Sequence, residues 1–140
     1  MVHTDELRTI LRDAWGRDTC DPHDLADWTP GNPARGQCGV TALVVHELLG
    51  GSLVLGEVMV AGTRVGHHYW NRLPDGREVD FTADQFRPEE TVTGGVLQQP
   101  PAGGPRRCRE QWELLRGRVL AAVQGRPRSV TDGGTPNRAR

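Results

Sequence analysis

Apolar residues recur at helical spacing from Thr4 to Trp15, at Leu7, Ile10, Leu11 and Trp15, which predicts an amphipathic helix with Thr4 as its N-cap and Gly16 as its stop. The next stretch, Asp18 to Gly36, mixes Asp, Pro, Gly and Trp without a period and reads as an ordered loop, with Trp28 as its anchor to the core. Cys38 to Leu49 is apolar almost all round and closes on Gly50-Gly51, so it reads as a central buried helix. Three strand-like segments follow, Leu53 to Val60, Val65 to Leu73 and Arg77 to Phe81. The last two are joined by the turn sequence Pro74-Asp75-Gly76, and an antiparallel sheet is the simplest assembly.

Thr82 to Phe86 has room for one helical turn, and Thr93 to Pro105 is rich enough in Gly and Pro to predict an irregular loop or flap. Trp112, Leu115, Val119 and Leu120 lie along one side of a final helix from Cys108 to Val123. From Gly125 to Arg140 almost nothing can be buried, so the expected organisation is one α+β domain over 1–124 and a disordered tail over 125–140. No internal repeat is evident. A chain of 140 residues favours one core, because two would each be marginal.

Seventeen basic and eighteen acidic residues give a formal charge of −1, which removes the global field that would recruit nucleic acid or an anionic membrane. No apolar run approaches the roughly 20 residues needed to span a bilayer, and the polar opening lacks the order of a signal peptide. The expectation is a cytoplasmic protein whose three cysteines, Cys20, Cys38 and Cys108, stay thiols. Cys20 and Cys108 read as inert. Without Cys-x-x-Cys or His-Glu-x-x-His, metal is not expected, and no phosphate-binding loop or dinucleotide fingerprint calls for a cofactor.

Cys38 differs from the other two. A helix N-terminus favours the thiolate and offers unpaired N–H groups to an oxyanion, and Gln37 beside it is a candidate amide donor. His67 and His68 sit on a strand, where neighbours face opposite ways, so only one can meet Cys38; His68 is preferred. Asp80 is the candidate partner that fixes the histidine tautomer. If the hairpin sets Trp70 opposite Asp80, His68 and Asp80 become diagonal neighbours on one face. A one-residue slip would select His67 instead.

The order Cys, His, Asp on helix, strand and strand resembles that of papain-like and transglutaminase-like thiol enzymes. The chain resembles the YunG-like proteins more closely still. That resemblance is carried by Gly36-Gln37-Cys38 with Val40-Thr41-Ala42-Leu43, by Gly50-Gly51, by His68-Tyr69-Trp70-Asn71, and by Asp75-Gly76-Arg77 leading to Asp80-Phe81-Thr82 and Gln85-Phe86. It spans about Trp28 to Phe86 and, more weakly, the final helix. The resemblance implies a papain-like or transglutaminase-like core, with the cysteine-bearing helix packed on a small antiparallel sheet, and names no substrate.

The expected function is a cysteine-dependent hydrolase or acyltransferase acting on an amide, ester or thioester of a small molecule or short peptide. In this reading Cys38 is the nucleophile, His68 the base and then acid, Asp80 its orienter and Gln37 an oxyanion donor. Trp70, Asn71, His67 and Trp28 are candidate substrate contacts, and Arg106, Arg107 and Arg109 form a cluster able to hold a carboxylate if it borders the cleft. The alternative is a non-catalytic small-ligand or protein-binding module in which the same residues form only a hydrogen-bonded network.

Overall fold

A computed structural model describes residues 2–125; the tail expected beyond Gly125 lies outside the described residues. The elements in chain order are α1 (Thr4–Ala14), two short 3-10 turns (Arg17–Thr19 and Pro22–Asp27), α2 (Cys38–Leu49), β1 (Ser52–Val60), β2 (Thr63–Arg72), β3 (Glu78–Val79), a 3-10 turn (Ala83–Gln85), β4 (Thr91–Gln98) and α3 (Arg109–Gly125). Among the described residues no helix is long and apolar enough to cross a membrane. The architecture is mixed α+β, with a curled antiparallel sheet in the order β3-β2-β1-β4.

The core follows from the helical stripes. Leu7, Ile10, Leu11 and Trp15 from the α1 segment meet Val40, Val44 and Val45 of α2 and Leu115 and Val119 of α3. The α2 helix is apolar on nearly every side because it is covered by the other helices and by the sheet. One polar bond crosses this core, where the Trp15 indole N–H donates to the Thr41 hydroxyl at 2.9 Å. Gly51, at φ +86°, carries the chain from α2 into β1 and lies so close to Arg72 that any Cβ would meet its carbonyl oxygen at 2.0 Å. Only glycine fits there.

Two expectations about elements need correction. Thr4 is not the N-cap of α1: that residue is His3, whose backbone N–H donates to the Glu6 carboxylate at 3.3 Å. The segment from Thr93 is not irregular throughout. Thr93 to Gln98 belong to β4, which pairs with β1 from Leu53↔Gln98 to Met59↔Thr91, and only 99–105 is irregular, as expected. The glycines of the strand are accommodated where the ladder slips between Leu55 and Glu57, with Gly94 and Gly95 at φ +75° and +147°. Gly95 there lies against Trp70 and Val54, so the lack of a side chain is itself a packing feature.

Candidate active site

The hairpin turn does what its composition predicts. Arg77 N–H donates to Asp75 Oδ1 at 3.0 Å, Gly76 takes φ +92°, and the Leu73 and Arg77 backbones pair at 2.8 Å. The resulting register pairs Asn71 with Val79 and Arg72 with Glu78, which continues to Trp70 opposite Asp80. His68 Nε2 and Asp80 Oδ2 are consequently 2.6 Å apart. The other carboxylate oxygen, Oδ1, accepts from Thr82 N at 3.1 Å and Thr82 Oγ1 at 3.3 Å, so Asp80 is held at both ends.

The His68 ring is wholly buried. Trp70 stacks on it with centroids 5.5 Å apart, and Phe86 meets it edge-on at 4.7 Å. Burial is the largest influence on its titration and opposes the charged form, but hydrogen bonding to Asp80 and the neighbouring Cys38 thiol outweigh it and raise the imidazole to about 9. With Nε2 committed to Asp80, Nδ1 is the nitrogen left for the thiol. It is buried and has no well-formed partner among the described residues.

Cys38 is the first residue of α2, and its first-turn N–H groups have no intrahelical acceptor. The chain reaches it through Gly36, at φ +74°, where a Cβ would meet Cys20 Sγ at 2.5 Å. Gln85 braces this approach by accepting from Gly36 N–H at 3.3 Å through Oε1. Of the three free thiols, burial pushes Cys20 up to about 12 and also raises Cys108. Cys38 alone has an imidazole beside it.

Cys38 opens onto a cavity of about 970 Å³. His67 and Tyr69 of β2 line it, whereas His68 does not. Several expected contacts fall elsewhere. Gln37 is not an oxyanion donor: it is wholly buried, its amide donates to Gly16 O at 3.0 Å, and its Oε1 accepts from Thr19 Oγ1 at 2.8 Å. Asn71 is likewise buried and donates to Ala42 O of α2 at 3.0 Å, which locks β2 to the helix and removes it from substrate contact.

Trp28 is a loop anchor and not a cavity residue, since its indole donates to Pro33 O at 3.1 Å. Trp70 lies in a separate shallow pocket with Val92, donating to Glu78 Oε1 at 2.8 Å. It supports the His68 ring and does not line the main cavity. Of the arginines, Arg106 and Arg107 border the cavity; Arg107 is paired with Asp21, while Arg109 binds Gly103 O and Pro105 O.

Tyr69 and Phe86 were not singled out by reasoning from sequence. Both stood within motifs already quoted, and strand period alone placed Tyr69 on the face opposite His68. The Tyr69 ring packs over the first turn of α2, 4.0 Å from where a Gly39 Cβ would stand, and its hydroxyl has no hydrogen-bond partner among the described residues. Burial and the nearby Cys38 raise its titration, so it stays a protonated donor. No group of three or more His, Cys, Asp or Glu among the described residues is arranged to hold a metal.

Fold and site thus define a small mixed α+β protein in which a helix-start cysteine stands beside a buried histidine held by a half-buried aspartate. The chain belongs to the YunG family, whose model, described as YunG protein, matches residues 3–124. It is 35% identical over 85 residues to a Bacillus subtilis (strain 168) protein described as "Uncharacterized protein YunG", over 59% of this chain and 63% of that protein's length. No solved structure matches.

Proposed function

We propose that the protein is a cysteine-dependent hydrolase or acyltransferase, a small relative in arrangement of the papain-like and transglutaminase-like thiol enzymes. The observation that carries this reading is the buried His68 ring, fixed at 2.6 Å by Asp80 on one side and bordered by the Cys38 thiol at a helix start. A purely structural network has no use for a raised imidazole beside a thiol that opens onto a large cavity.

His68 Nδ1 takes the proton of Cys38 Sγ while Nε2–H stays hydrogen-bonded to Asp80. The thiolate adds to the substrate carbonyl, forming a C–S bond, and the electron pair moves to oxygen. Backbone N–H groups of the first turn of α2 hold that oxyanion, with the Tyr69 hydroxyl as the side-chain donor in place of Gln37. Collapse breaks the bond to the leaving group, which departs with the proton from His68. Water or an amine then gives its proton to His68 and attacks the thioester, returning the Cys38 thiolate and the imidazolium.

The test is alkylation by iodoacetamide, with the modified residues located by mass spectrometry. Cys38 should react first, and His68→Ala should slow it by about tenfold or more. A Cys38 that reacts no faster than Cys108, or that ignores the loss of His68, would sink the enzyme reading and favour a binding module.

A further inference from the structure

The cavity beside Cys38 has two unlike walls. Asp21, Asp24, Arg35, Glu90 and Arg107 stand on the loop side, several of them in ion pairs with one another. The opposite wall carries an aliphatic stripe, Val40 and Leu43 of α2, Leu53, Val58 and Val60 of β1 and Val65 of β2, beside His67 of β2 and Gln98 of β4. Leu53 and Val58 are of opposite parity and would face opposite ways in a regular strand. Both nevertheless line the cavity, together with Val60, which shares the parity of Val58. The charged residues of these two strands stay out of it, with Glu57 and Arg64 paired at 3.4 Å on the surface.

A peptide laid along these aliphatic side chains would turn N–H and C=O groups toward atoms that cannot pair with them. A hydrocarbon chain makes no such demand. Tyr69 marks the level of Cys38, and from Tyr69 to Val65 the strand runs four residues, about 13 Å at roughly 3.3 Å per residue. Val65, itself exposed, ends the run at the open side. We infer that the acyl group delivered to Cys38 is a medium-length aliphatic chain lying along Val58, Val60 and Val65, so that the substrate is a fatty-acyl ester or thioester. This rests on the thiol-enzyme reading above.

The test uses p-nitrophenyl acetate, butyrate, hexanoate, octanoate and dodecanoate with the full chain. It follows release of p-nitrophenolate and the mass of acylated Cys38, each rate being divided by that of N-acetylcysteine with the same ester. The normalised acylation constant should rise about threefold to fourfold per added methylene, from roughly 0.8 kcal/mol per buried CH₂, and then level off. Val65→Asp, at an exposed position, should lower the octanoate-to-acetate ratio of acylation rates about tenfold, and Val60→Asp is the second variant; a ratio equal to that of wild type in both would overturn the assignment. Equal normalised rates for acetate and octanoate would overturn the aliphatic assignment and leave the thiol reading standing. No acylation of Cys38 by any ester would overturn both.

Discussion

Asp80 grips His68 from the adjacent strand, with Oδ2 2.6 Å from Nε2, while its Oδ1 is occupied by the Thr82 backbone and hydroxyl. The carboxylate therefore cannot turn, and the ring it holds cannot flip. Asp80→Asn keeps an acceptor for Thr82 but presents the ring with the wrong partner. Acylation of Cys38 by a p-nitrophenyl ester should fall by about 10²- to 10⁴-fold with the fold intact. A rate within a few-fold of wild type would remove Asp80 from the mechanism.

The same pair makes stability depend on pH. His68 titrates at about 9 in the folded chain against an ordinary 6.5, so its contribution is fully present below 6.5 and is lost as pH rises through 9. The wild-type Tm should fall across that window, and His68→Ala should start lower and fall less. Parallel Tm curves for the two proteins would contradict the raised imidazole.

Gln37 and Tyr69 make opposite predictions. Gln37→Ala removes two hydrogen bonds, from its amide to Gly16 O and from Thr19 Oγ1 to its Oε1, and should cost about 1–3 kcal/mol in urea unfolding, with acylation per folded molecule unchanged. Normal stability together with slowed acylation would restore Gln37 as an oxyanion donor.

Tyr69→Phe removes only the hydroxyl. Acylation, which develops an oxyanion, should slow on the order of 10²-fold, whereas alkylation by iodoacetamide, which develops none, should not change. Loss of both together would mean that Tyr69 positions the thiol instead.

Local chemistry explains which parts were legible in the sequence. The span of α2, the turn at Asp75 and Gly76, and the register that sets Trp70 opposite Asp80 all follow from signals a few residues long. β4 was hidden because Gly94 and Gly95 look like breakers until a ladder slip and the Trp70 indole give them a place. Gln37 was misjudged for a different reason. Its position beside Cys38 is local, but the direction of its amide is set by Gly16 and Thr19, about twenty residues earlier in the chain. The aliphatic stripe was equally out of reach, since parity counting assigns Leu53 and Val58 to different faces although both line the cavity.

His68 has no surface of its own, and Nε2 is held by Asp80, so Nδ1, on the Cys38 side, is the nitrogen left to trade a proton with substrate. On the proposed chemistry, the sulfur of Cys38 is a turnstile. While an acyl group sits on it, the ring can be reached only through the space the leaving group has just vacated, so the second reactant queues behind the first. Steady-state kinetics with two substrates should accordingly give parallel double-reciprocal lines, a ping-pong order imposed by the one sulfur that both reactants must use in turn.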